Sequence, residues 1–69
     1  MKVNLRRLAA ERKNKNLTQE QMADLMGMKN RQSYANKENG TSSIKSQELF
    51  EMIKIFGYTI DDIKLFIKE

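Results

Sequence analysis

The sequence predicts an all-α fold, a compact bundle of five short helices with no strands. Three observations carry that prediction. Apolar residues recur at helical rather than alternating spacing along the chain. Asn4, Thr18 and Thr59 stand where helix N-caps belong, each just ahead of an amphipathic segment. Proline is absent, and the three glycines, Gly27, Gly40 and Gly57, fall at the ends of such segments rather than inside them.

The first helix runs from a cap at Asn4 to about Lys13, with Leu5, Leu8, Ala9 and Arg12 on one face. Asn14-Lys15-Asn16 is a polar turn. Leu17 precedes the next cap, as a hydrophobic staple would. The second helix opens on Thr18-Gln19-Glu20-Gln21, a capping box, carries Met22, Ala23, Leu25 and Met26 inward, and stops at Gly27. After Met28-Lys29 a third helix begins at Lys29 or Asn30 and runs to Glu38, closed by Asn39-Gly40. It is polar except for Tyr34 and Ala35, so it needs a reason to exist beyond its own packing. Tyr34 reads as a core residue rather than a stacking group. Thr41–Lys45 is a loop. The fourth helix starts near Ser46, presents Leu49, Phe50, Met52, Ile53 and Phe56, and ends at Gly57. The fifth is capped by Thr59, has Asp61 and Asp62 in its first turn where the helix dipole favours acids, and shows Ile60, Ile63 and Ile67 as a stripe flanked by Leu65 and Phe66.

Composition narrows the function. With 69 residues the chain has room for one domain, residues 1–69, and a lean core. It contains no cysteine and no histidine, so the commonest nucleophile, general-base and metal-ligand side chains are missing, and neither an enzyme nor a cofactor or metal site is expected. The five methionines read as core filler. No apolar run is long enough to span a bilayer and the basic start lacks the apolar segment of a signal peptide, so no membrane role is expected and the expected location is the cytoplasm, in association with the nucleoid. The net charge of +4 is unevenly spread: residues 1–45 carry ten Lys/Arg against four Asp/Glu, and residues 46–69 three against five. A basic front half points to a polyanionic partner, with a solvated lysine-rich surface as the plainer alternative.

The second and third helices together explain the polar third helix. An amphipathic helix closed by glycine, a short turn and a polar helix, over about residues 18–39, is the grammar of a helix-turn-helix. In that motif the second helix of the pair lies in the DNA major groove with its N-terminal residues against base edges. Arg31 suits guanine O6 and N7, and Gln32 and Asn36, one turn apart, suit adenine N6 and N7.

Leu17-Thr18-Gln19-Glu20-Gln21-Met22-Ala23-Asp24-Leu25-Met26-Gly27 resembles the first motif helix of the phage Cro/CI-type repressors, the XRE family, whose pattern there is L-[ST]-Q-E-x-L-A-x-x-x-G. Glu38-Asn39-Gly40 resembles the end of their recognition helix. Leu5-Arg6-Arg7-Leu8 and Phe56-Gly57-Tyr58-Thr59-Ile60-Asp61-Asp62-Ile63 also match, so the resemblance covers about residues 4–65. The interval from Gly27 to Glu38 is one residue longer than the family's usual spacing, which leaves the start of the recognition helix, about 30–38, open by one residue. Tyr34 and Lys37 replace the family's usual buried aliphatics.

The resemblance implies a lambda-repressor-like domain that binds a double-stranded DNA operator. It implies base contacts from Arg31, Gln32 and Asn36, and phosphate contacts from Gln19, Lys29, Ser33, Asn39 and the amides around Gly40. Lys37, Lys45 and Arg7 are weaker phosphate candidates. Arg12 and Glu38 match a structural ion pair. A homodimer on a palindromic site, formed in solution or only on DNA, is expected, with Leu65, Phe66 and Ile67 as interface candidates; the alternative is that the fifth helix packs on the first and fourth. A Cro-sized repressor of phage, prophage or mobile-element type follows, with no effector domain and no small-molecule ligand. An antirepressor or antitoxin that binds another protein through the fifth-helix surface is the competing reading.

Overall fold

The computed structural model describes residues 2–68. In chain order it has β1 (Lys2–Val3), α1 (Leu5–Asn14), α2 (Gln19–Leu25), α3 (Arg31–Glu38), α4 (Ser46–Ile55), a 3₁₀ helix (Ile60–Phe66) and β2 (Ile67–Lys68). The local signals at the helix starts are realised as hydrogen bonds. Asn4 Oδ1 accepts from the Arg7 amide at 3.2 Å; at α3, whose start the sequence left open, Asn30 is the cap, its Oδ1 accepting from the Ser33 amide at 2.9 Å. At α2 the capping box closes in both directions, Gln21 N–H to Thr18 Oγ1 at 3.0 Å and Thr18 N–H to Gln21 Oε1 at 2.8 Å.

Three helices end in one and the same backbone motif. In α1, α2 and α4 the amides of Leu17, Met28 and Tyr58 reach back to the carbonyls of Arg12, Ala23 and Ile53 at 3.1, 2.8 and 2.8 Å, with Asn16, Gly27 and Gly57 at the turning position. That position has positive φ, which glycine adopts freely and asparagine best tolerates among the rest; Asn16 at +57° is the one non-glycine there among the described residues.

The C-terminal segment departs from expectation. Residues 60–66 wind as a 3₁₀ helix rather than an α-helix, and the chain ends make a strand pair that the helical periodicity did not predict: Lys2 opposite Lys68 and Val3 opposite Ile67, antiparallel. The Asn4 amide donates to the Phe66 carbonyl at 2.7 Å beside that pair. Two β-branched isoleucines, Ile60 and Ile63, weaken α-helix propensity over this stretch. The 3₁₀ run is long for its kind, and it is held at both ends, by Asp62 accepting from the Thr59 amide at 3.0 Å and by the strand pair.

The core consists of Leu8, Met22, Ala23, Tyr34, Leu49, Met52, Ile53, Phe56 and Phe66. Phe66 corrects the expectation of an interface residue. It is fully buried, stacked at 6.5 Å on Phe56 and edge-on at 5.3 Å to Tyr58, with the Arg7 guanidinium 5.3 Å above its ring, so it belongs to the core. The tighter 3₁₀ winding turns Phe66 inward and leaves Ile60 and Leu65 exposed, with Ile67 half-buried in the strand pair. Beneath Arg7 lies a bond set that connects α1 to the segment after α4: Arg7 Nε donates to Glu11 Oε2 at 2.9 Å, and the Tyr58 hydroxyl donates to the same oxygen at 2.7 Å. Those hydrogen bonds, Tyr58 foremost, hold the Glu11 carboxyl below its usual range against the upward push of burial.

Candidate nucleic-acid interface

The connection between α2 and α3 is residues 26–30, and Asn30 as the cap sets Arg31 as the first residue of α3. The start of α3, left open by one residue in the sequence, is therefore Arg31. Helix α3 packs chiefly on α2 and reaches α1 as well. It buries only Tyr34 and Ala35, leaving Arg31 and Gln32 exposed and Ser33, Asn36, Lys37 and Glu38 half-buried. A helix with so little apolar surface must be held by other means.

The strongest hold is at its C-terminal end. Arg12 Nε donates to Glu38 Oε2 at 2.9 Å and Nη2 to Oε1 at 3.2 Å, a two-pronged pair whose side chains are only 10% and 9% exposed. Arg12 Nη1 also donates to the Leu17 carbonyl at 2.6 Å, so one guanidinium joins α1, the turn before α2 and the end of α3. Burial pushes the Glu38 carboxyl upward. The bonds and charge of Arg12, with Tyr34 and Gln19, outweigh that and keep it below the usual carboxylate range. The Tyr34 hydroxyl sits beside this carboxylate but outside good hydrogen-bond geometry. It is the one buried side-chain polar atom without a partner among the described residues, and burial, then Glu38, pushes its pKa far up.

The N-terminal end of α3 is held from α2. Arg31 Nη1 donates to Gln19 Oε1 at 2.8 Å, and Gln19 Nε2 reaches Glu38 Oε1 at 3.4 Å. Gln19, the first residue of α2, therefore touches both the first and the last residue of α3. The Arg31–Gln19 bond joins side chains twelve positions apart across the turn, and no local signal in the sequence announces it.

On the exposed side of α3, Gln32 Nε2 donates to Asn36 Oδ1 at 2.9 Å, the one-turn pairing their spacing allows. Lys29 is exposed. Ser33 directs both its amide and its hydroxyl to Asn30 Oδ1, at 2.9 and 3.1 Å. Asn39 Oδ1 accepts from the Thr41 amide at 2.9 Å, and Gly40 follows at φ +88°. A Cβ on Gly40 would lie 3.1 Å from Leu5 Cδ1, so α1 comes close to the backbone just after α3. A shallow groove here is lined by Leu5, Arg6, Ala9, Gln19, Glu38 and Asn39. Arg6, exposed on its rim beside Gln19 and Asn39, is a cation that sequence reasoning does not single out, because one arginine in a basic helix start looks like any other.

Two of the weaker phosphate candidates are engaged elsewhere. Arg7 is bound to Glu11 over Phe66. Lys37 donates to the Ser43 carbonyl at 2.7 Å and to Glu48 at 3.1 Å, fastening the end of α3 to the start of α4. Lys45 remains exposed. Among the described residues no cluster of three or more metal-ligating side chains occurs, and no helix is long and apolar enough to cross a membrane.

The connection between α2 and α3, the polar exposed face of α3 and its anchoring by α2 are the geometry of a helix-turn-helix. Comparison with known families agrees: the family model described as Helix-turn-helix matches residues 8–63, most of the chain. No curated protein and no solved structure gave a match. The chain belongs to the XRE-type helix-turn-helix family of DNA-binding transcription regulators.

Proposed function

We propose that this regulator recognises a specific double-stranded sequence by laying α3 in the major groove and represses transcription by occupying an operator, in the manner of a small Cro-like protein. The single observation that carries this is the construction of α3. It is an exposed hydrogen-bonding helix braced at both ends by Gln19 and by the Arg12–Glu38 pair, rather than by apolar burial. A rigidly held polar face suits reading base edges, since side-chain freedom already given up in the free protein is not lost again on binding.

Arg31, Gln32 and Asn36 form the face turned to the bases. Arg31 keeps four N–H groups beyond the one given to Gln19. Gln19, Lys29, Ser33, Asn39 and the Gly40 backbone form the phosphate rim, joined by Arg6. A single module of this size covers roughly 600–1,000 Å² on DNA, which favours two copies on half-sites about 34 Å apart. Ile60 and Leu65, 59% and 44% exposed, replace Phe66 as the apolar contribution of the C-terminal segment to such a dimer.

The test is selection of bound sites from a random duplex pool at near-physiological salt. A dyad-symmetric consensus is expected. A single asymmetric site would keep sequence recognition and remove the symmetric dimer. No enrichment by folded protein would overturn the reading and turn attention to a protein partner for the C-terminal surface.

A further inference from the structure

We propose that Asn36 is a positioning residue for Gln32, not a second base reader, and that the pair commits α3 to one adenine in each half-site. The inference rests on the DNA-reading role of α3 argued above. A primary amide has one carbonyl and two N–H groups, and the N–H on the carbonyl's side forms with it a flat acceptor–donor edge. Adenine offers the complement in the major groove, N6–H as donor and N7 as acceptor. Gln32 uses one N–H on Asn36 Oδ1, at 2.9 Å. In this arrangement Asn36 takes the N–H turned away from the carbonyl, which leaves Oε1 and the N–H beside it as that edge for a base.

The bond therefore selects among bases. Guanine presents two acceptors, O6 and N7, and would need two donors from the amide. Turning Gln32 to offer both breaks its bond to Asn36, and leaving it in place sets Oε1 against O6. Asn36 is half-buried while Gln32 is exposed, so the residue nearer the helix surface holds the outer one. The four-residue spacing places Asn36 one turn behind Gln32, farther from the N-terminal end of α3 that enters the groove.

The experiment is site selection with the wild-type chain, followed by affinity measurements on duplexes altered at each half-site position, for Gln32→Ala, Asn36→Ala, their combination and Asn36→Asp. Asn36→Ala is expected to relax the preference at the same base pair that Gln32→Ala relaxes, by about tenfold. The combination should add little to either change alone. Asn36→Asp keeps an acceptor facing Gln32, so it should restore the adenine preference even as its charge weakens binding to every duplex alike. Thermal unfolding of the variants should match the wild type, which a merely structural role would not allow.

Relaxation at a different base pair by Asn36→Ala would make Asn36 a base reader in its own right and overturn the inference, leaving the DNA-reading role of α3 intact. A preference for guanine at the Gln32 position would overturn it in the same way. If neither substitution alters preference at any position, the inference is overturned while Arg31 still leaves α3 a base reader; if the wild-type chain selects no site, the role of α3 itself is refuted, and the inference with it.

Discussion

Replacing Glu38 by glutamine removes one charge from the pair that fastens α3 and keeps its shape. With side chains 10% and 9% exposed, the Arg12 guanidinium left behind cannot recover its hydration. One of its two bonds to residue 38 becomes a donor–donor conflict, while the bond to the Leu17 carbonyl at 2.6 Å persists. Breaking a buried pair from one side costs about 3–5 kcal/mol. The surviving carbonyl bond argues for the lower end, about 3 kcal/mol. A domain of this length has a total stability of only about 3–10 kcal/mol, so the effect should be large. Urea unfolding followed by circular dichroism should show a lower midpoint at unchanged slope. The thermal midpoint should fall by roughly 12–24 °C.

Arg12→Met should cost more, because it also orphans the Leu17 carbonyl. Arg12→Met with Glu38→Leu should cost less than the two single changes together. The pH dependence has a defined sign. The folded-state pKa of Glu38 is depressed, so its contribution is complete above the ordinary glutamate value and disappears as pH falls through the lower folded value. Glu38→Gln should therefore flatten the acid limb, leaving the part due to Glu11 and Glu48, which are depressed in the same direction. A loss below about 1 kcal/mol, with no change in the acid limb, would mean that the pair behaves like a solvent-screened surface pair and would refute the reasoning.

Tyr34→Phe should be neutral or stabilising by up to about 1 kcal/mol, because the hydroxyl it removes is buried without a well-formed hydrogen bond; a clear loss in the urea midpoint would show that the hydroxyl does bond Glu38. Phe66→Ala should cost about 3–5 kcal/mol, as expected for a fully buried ring, whereas Leu65→Ser should leave the unfolding curve in place and, if the C-terminal segment forms the dimer, lower the apparent affinity for a two-half-site duplex alone. Gly40→Ala should cost about 1–2 kcal/mol, since φ is +88° and the new Cβ crowds Leu5; an unchanged midpoint would show that the loop after α3 rearranges freely. Affinity for DNA should fall with salt at a slope of about −0.9 per phosphate contacted, and Arg6→Ala should make that slope shallower while preserving the selected sequence.

What the sequence determined by itself is the part of the structure written in short-range chemistry. Asn4 and the Thr18–Gln21 box act on amides within three residues of themselves, and Gly27 and Gly40 act through their own φ, so the starts of α1 and α2 and the ends of α2 and α3 were legible without any fold, whereas the start of α3 stayed open until the fold showed Asn30 as its cap. The Arg12–Glu38 pairing was legible in another way, through what the family resemblance implied, and the polar face of α3 through the order of amphipathic helix, glycine, turn and polar helix. Tertiary structure alone decided the rest. Whether Phe66 faces the core or solvent depends on a 3₁₀ winding held by a strand pair between the two ends of the chain, which periodicity in residues 60–67 does not contain. The Tyr58–Glu11 bond spans 47 positions and the Arg31–Gln19 bond crosses the turn. Such partners are chosen by where packing brings side chains within about 3 Å of each other, a condition set by the whole core and invisible in any local stretch of sequence.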